Sequence, residues 1–143
     1  MLYHIVYSTK QRRPMLAVES IDRLAKFTGG LIRDRAGKLL AMNGTENHVH
    51  LLASLTPTIG ISDQVRDIKA ISSGWIKNKV PRMESFAWQG GYSAFSVGKT
   101  AQADVERYIA AQAEHHRKRT FEEELLGILE RAGVDYDPRF VFD

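Results

Sequence analysis

Two histidines one residue apart, in Asn47-His48-Val49-His50-Leu51-Leu52, are the first candidates for chemistry in this chain. On an extended strand, side chains alternate faces with a period of two. His48 and His50 then leave one face, and Val49 points the other way into apolar packing. Two imidazoles at this spacing can share a divalent metal ion. They also fit a solvated sheet face, and the spacing alone does not establish a metal site. The second candidate is Asp104-Val105-Glu106-Arg107-Tyr108-Ile109-Ala110-Ala111-Gln112. Tyr108 and Gln112 stand one helical turn apart on one face, beside a stripe of Val105 and Ile109. A phenol can attack a phosphodiester when the phenolate and the pentacoordinate phosphorus are both stabilised. A metal ion on the scissile phosphate does both, and the Gln112 carboxamide oxygen can complete its site. The alternative is a half-buried Tyr108 beside a surface Gln112. Asp104, one turn before Tyr108, is the nearby carboxylate on roughly that face.

Cations are spread along the chain at Lys10, Arg12, Arg13, Lys69, Lys77, Lys79, Arg82 and Lys99. With Trp75, Trp88, Tyr92 and Phe95 they offer phosphate contacts and stacking surfaces for single-stranded nucleic acid. Trp75 and Phe95 read better as core. His115-His116-Arg117-Lys118-Arg119 suits a helix C-terminus, where cations are favoured.

Residues 1–100 carry 14 basic against 7 acidic side chains, and residues 101–143 carry 6 against 10. A basic body with an acidic tail fits a polyanion-binding surface, and also ordinary variation in a small domain. A chain of 143 residues suits one domain over its full length. The absence of cysteine excludes disulfide scaffolds, thiolate metal sites and cysteine nucleophiles. No apolar run is long enough for a membrane span and the N-terminus lacks a signal-peptide layout, so a soluble, cytoplasmic protein is expected.

The elements that must position these residues follow from periodicity. Residues 3–9 alternate as a strand, and residues 20–36 carry a helical apolar stripe that Gly37 stops. Short strands at 39–42 and 49–55 flank Asn43-Gly44, a hairpin signal. A helix follows from the Ser62 N-cap to about Lys79, then a strand over 88–97 entered through Gly90-Gly91. Two helices, over 101–118 and 121–132, and a tail over 134–143 complete the chain. The order β-α-β-β-α-β is that of the ferredoxin-like, RRM-like split βαβ fold: an α+β antiparallel sheet with helices on one face, here extended by C-terminal helices.

These segments together resemble the single-tyrosine transposases of the HUH endonuclease superfamily, of the insertion-sequence and REP-associated, IS200-like type. The resemblance rests on His4-Ile5-Val6-Tyr7-Ser8-Thr9-Lys10-Gln11-Arg12-Arg13-Pro14, His48-Val49-His50-Leu51-Leu52, Gly90-Gly91-Tyr92-Ser93-Ala94-Phe95-Ser96-Val97-Gly98 and Tyr108-Ile109-Ala110-Ala111-Gln112. It spans about residues 3–119, and the tail with Phe121, Glu124 and Tyr136-Asp137 is similar to a subgroup. It implies a homodimer and a Mg²⁺ or Mn²⁺ ion held by His48, His50 and Gln112. It also implies attack by Tyr108 on single-stranded DNA, at hairpin-forming element ends, leaving a 5′-phosphotyrosine and a free 3′-OH. Asn47 stands where an acidic residue is common in the family, with Glu46 adjacent. A covalent tyrosyl link conserves the phosphodiester energy that a water nucleophile would lose.

Two other readings stand beside this one. A non-catalytic or domesticated DNA-binding protein of the same fold would use exposed aromatics on its central strands, where this chain offers His48 and His50. A structural dimer would use the histidines only as hydrogen-bonding groups.

Overall fold

In the computed structural model, which describes residues 1–116 and 119–135, four strands form one antiparallel sheet in the order β2-β3-β1-β4. They are β1 (Leu2–Ser8), β2 (Lys38–Gly44), β3 (His48–Ser54) and β4 (Ser93–Val97). Helix α1 (Ile21–Asp34) joins β1 to β2, and α2 (Ile61–Lys79) joins β3 to β4. Three helices follow: α3 (Gln102–Ala110), α4 (Gln112–His115) and α5 (Phe121–Arg131). This is the ferredoxin-like order expected from the sequence. No helix among the described residues is long and apolar enough to cross a membrane.

The strand register divides the sheet into two unlike faces. β1 pairs with β3 so that Tyr7 opposes Val49 and Ile5 opposes Leu51. These four side chains and Ala53 are buried on one face with Leu24 and Ile32 of α1 and Val65, Ile68 and Ile76 of α2. Residues Ile21, Leu24, Thr28 and Ile32 recur every three or four positions along α1, which gives it one buried stripe. Each fully buried aliphatic side chain contributes roughly 1.5–3 kcal/mol. The intervening residues face the other way: Val6 opposes His50 and Ser8 opposes His48. There Val6 packs with Phe121, Leu125 and Leu129 of α5, and with Phe95 of β4. Helix α5 therefore covers this second face of the sheet within one chain.

Several boundaries differ from the sequence expectation for physical reasons. Asn43-Gly44 does not form the hairpin turn but ends β2, and the turn is residues 45–47. Glycine is required at 44 by close approach, because a Cβ there would collide with the His48 carbonyl oxygen. The helix expected over 101–118 breaks at Ala111, where φ is −97° and ψ is 23°. The Ala111 N–H is shared between the carbonyls of Arg107 and Tyr108. Asn43 Nδ2 donates to the Ala110 carbonyl at 3.1 Å, tying the break to β2. The expected end of that helix at 118 lies outside the described residues, as does the tail over 136–143. Helix α2 is capped by the Gly60 backbone, and the Ser62 hydroxyl instead lies 2.8 Å from Tyr92 Oη. Of the strand expected over 88–97, the ladder includes Ser93–Val97, and Trp88 makes an isolated bridge to Thr9.

Candidate active site

His48 and His50 project from adjacent same-face positions of β3 and are fully buried. Their rings lie 5.1 Å apart, centroid to centroid. The period-two spacing thus brings both imidazoles to one place, but not onto a solvated face. His4, across on β1, lies with Nε2 2.8 Å from His50 Nδ1. Burial, followed by the neighbouring His50, pushes the His4 imidazole down to about 3. Burial likewise pushes His50 down to about 4 against the opposing pull of Glu124. Both rings are therefore neutral at pH 7.

Gln112 is the first residue past the break at Ala111, and it is fully buried, not a surface residue. Its Oε1 lies 3.2 Å from His48 Nε2. Its Nε2 donates to the Tyr108 carbonyl and to Glu124 Oε2, which fixes the orientation of the amide. Tyr108 is half-buried on α3, its ring 5.8 Å from that of His50. Its hydroxyl donates to Glu124 Oε2. Burial raises the phenol pKa, and the bond to Glu124 raises it further, so the resting tyrosine keeps its proton. A cleft of about 520 Å³ between β4, α3 and α5 is lined by Phe95, Val105, Tyr108 and Ile128.

Glu124 on α5 is the centre of this cluster and is 1% exposed. Its Oε1 lies 3.0 Å from Nε2 of His50, 3.0 Å from Nε2 of His116 and 3.3 Å from Nε2 of His48. Burial opposes its ionisation, but the bonds from His116 and His50 hold the carboxyl far below the usual carboxylate range. The sequence expectation of Asp104 as the carboxylate near Tyr108 is corrected here. Asp104 is exposed and paired with Arg107, and the carboxylate on the phenol is Glu124. Glu124 sits with Phe121, Leu125 and Leu129 among the buried residues of α5. A carboxylate on an apolar stripe was the available sequence signal.

The donor chemistry fits a metal ion. Asn47 Oδ1 only accepts, so at 2.8 Å it accepts a hydrogen bond from His48 Nδ1–H. The neutral ring then turns its Nε2 lone pair toward two acceptor oxygens, Gln112 Oε1 and Glu124 Oε1. A cation among them satisfies what otherwise repels. Asn47 and Thr45 thereby orient His48, and His4 orients His50, as partners behind metal ligands commonly do. Asn47 fills its position by accepting a hydrogen bond. The ligand atoms of His48, His50, His116 and Glu124 all lie within 4.8 Å of one another, so the group is able to hold a metal ion.

The cations that the sequence offers for phosphate contacts differ in their surroundings. Lys10, Arg13, Lys77 and Lys99 are exposed. Arg12 is paired with Glu122 of α5 at 3.4 Å. Lys69 is buried, its Nζ donating at 2.7 Å to the carbonyls of Gln89 and Gly91, and burial pushes it down to about 8. The register Leu2 to Val97 puts Lys99 at the end of the sheet opposite Lys10. Of the two aromatics read as core, Phe95 packs against Val6, and Trp75 stacks on Phe27 with 5.1 Å between ring centroids.

Known proteins share both sequence and fold with this chain. The chain is 27% identical over 115 residues to the ISDra2 transposase TnpA of Deinococcus radiodurans, covering 77% of this chain and 82% of that one. It is 27% identical over 122 residues to the transposase for insertion sequence element IS200 of Salmonella typhimurium, covering 80% of this chain and 78% of that one. A crystal structure assigned to a transposase of Deinococcus radiodurans R1 superposes with a TM-score of 0.60 at 26% identity, covering 78% of this chain and 90% of that one. The structure of a REP-associated tyrosine transposase bound to a REP hairpin shares the fold, with a TM-score of 0.58 at 16% identity, over 80% of this chain and 67% of that one. The family model described as "Transposase IS200 like" matches residues 1–112, so the chain belongs to the IS200-like transposases, enzymes that act on DNA.

Proposed function

We propose that this protein cleaves and rejoins single-stranded DNA through a 5′-phosphotyrosine on Tyr108. The observation that carries the reading is the convergence of Tyr108, Gln112, His48 and His50 on one buried carboxylate, Glu124. His48, His50 and Gln112 would hold a divalent ion, which when bound polarises the scissile phosphate and offsets its charge. Tyr108 supplies the nucleophilic oxygen. Its raised pKa means that the proton must leave as the bond to phosphorus forms, and Glu124 Oε2 already accepts that hydrogen bond. The phenolic oxygen bonds to phosphorus, the bond to the 3′-oxygen breaks, and that oxygen departs as a 3′-OH after taking a proton. Attack by a 3′-OH on the tyrosyl phosphate runs the same exchange backwards and restores the phenol, with no external energy source. Asn47 holds the His48 imidazole in the tautomer that leaves its Nε2 lone pair toward the site, and His4 orients the His50 ring.

The REP hairpin held by the structural relative supports a hairpin-bearing single strand as the substrate class. A homodimer is proposed on the family resemblance. Light scattering at micromolar concentration tests it, and a monomer mass counts against it. A second reading, a DNA-binding protein of this fold without cleavage, is favoured by one observation: His48, His50 and Gln112 have no exposed surface. Incubation of the full chain with single-stranded DNA from the ends of its own element, with Mn²⁺, then a denaturing gel, separates the two. The transposase reading predicts a covalent protein–DNA band that EDTA abolishes. Retarded DNA in a native gel with no covalent band on any such substrate supports binding alone.

A further inference from the structure

The family match ends at Gln112, yet two groups that face the histidine pair lie beyond it. His116 follows α4, and Glu124 is on α5. Glu124 Oε1 stands 3.0–3.3 Å from three imidazole nitrogens. Metal–ligand bonds of about 2.0–2.1 Å in a tetrahedral site separate neighbouring donor atoms by roughly 3.3 Å. The carboxylate oxygen is therefore already at ligand spacing from each ring. The acceptor-to-acceptor contact at His48 Nε2 involves this same oxygen.

The donor set also bears on which ion fits. Mg²⁺ dehydrates reluctantly and keeps several waters, with one or two carboxylates as its usual protein ligands. Here His48 and His50 are 0% exposed, Glu124 is 1% exposed and His116 is 13% exposed at the side chain. That leaves little access for a hydrated ion. Imidazole nitrogen suits first-row transition metals, whereas an all-oxygen shell suits Mg²⁺.

We propose that Glu124 and His116 are themselves ligands beside His48, His50 and Gln112, giving a centre of three histidines, one carboxylate and one carboxamide that takes a first-row transition dication, from Mn²⁺ to Zn²⁺, in preference to Mg²⁺. This rests on the reading above that His48 and His50 hold an ion. It adds that the ion ties α5 to the sheet. Glu124 is fixed on that helix beside Phe121 and Leu125, which share a buried cluster with Val6. A bound ion then links β3, the turn after α4 and α5 through single donor atoms.

Calorimetric titration of the full chain with Mn²⁺ and with Mg²⁺ tests the proposal, together with the visible absorption of the Co²⁺-loaded protein. The variants are Glu124→Gln, His116→Ala and His48→Ala. Expected are Mn²⁺ binding at least about 100-fold tighter than Mg²⁺, and a loss of Mn²⁺ affinity of about tenfold or more in both Glu124→Gln and His116→Ala. The Co²⁺ bands should shift in both, and trypsin should cut α5 more slowly with Mn²⁺ than with EDTA. If Glu124→Gln does not fold, the His116→Ala titration and the wild-type Mn²⁺ to Mg²⁺ ratio decide. Equal Mn²⁺ and Mg²⁺ affinity in the wild type overturns the proposal. So do unchanged Mn²⁺ affinity and Co²⁺ bands in the two C-terminal variants. If His48→Ala alone then loses the metal, the two-histidine reading survives without this one. If His48→Ala also binds as wild type, both fail.

Discussion

The two faces of the sheet are built from alternate residues of the same strands, and they do different work. Ile5, Tyr7, Val49 and Leu51 face α1 and α2 in an apolar layer. His4, Ser8, His48 and His50, one residue out of phase, face α3 and α5 with their polar atoms paired. The apolar face tolerates no water and demands volume. The polar face is just as dry but demands partners, because each buried imidazole or carboxylate left unpaired costs several kcal/mol. A period of two lets one strand satisfy both requirements. It also makes the site rigid, since β3 is held by β1 on one side and β2 on the other.

Breaking the polar face should abolish chemistry and spare the fold more than breaking the apolar one. The largest functional effect is expected from His48→Ala, which removes the imidazole whose lone pair faces Gln112 and Glu124. Metal binding, read by calorimetry, and DNA cleavage should both fall below detection. On the apolar face, Leu51→Ala should cost about 2–5 kcal/mol in urea unfolding, because the site cannot collapse fully around a lost side chain. Cleavage by the fraction still folded should survive. His4 lies behind His50, outside the proposed ligand set, and His4→Ala sharpens the comparison. Metal affinity should drop about 10–100-fold, with the ligand set retained. The smallest effect concerns the cap that starts α5. Thr120 accepts from the Glu123 N–H and Glu123 returns a bond to the Thr120 N–H. Thr120→Ala should cost about 1 kcal/mol in thermal unfolding, by loosening the helix that carries Glu124.

The same contrast explains what was legible in the sequence. His48 and His50 on one face, and the β-α-β-β-α-β order, follow from periodicity, which is local. The pairing of Tyr108 with Gln112 at one helical turn is also local, although the break at Ala111 is not. Residues 102–115 are good helix formers, and the interruption is tied to Asn43 on another strand. Asn43-Gly44 misleads because the glycine answers a clash with the His48 carbonyl, not a turn. Glu124 is the hardest to find. It stands in the run Glu122-Glu123-Glu124, whose members differ only in helical phase. Its 1% exposure and its bond to His50, 74 residues away, arise from tertiary packing. His116, in a basic run suited to a helix end, hides in the same way.

The central claim is that Tyr108 carries the DNA strand. Mass-spectrometric mapping of a nuclease-trimmed covalent adduct, formed with single-stranded DNA from the element's own ends, tests it directly. The account predicts a nucleotide on the peptide containing Tyr108, and none in the Tyr108→Phe protein with its metal binding intact. An adduct on another residue such as Tyr92, or an adduct persisting in Tyr108→Phe, would contradict it.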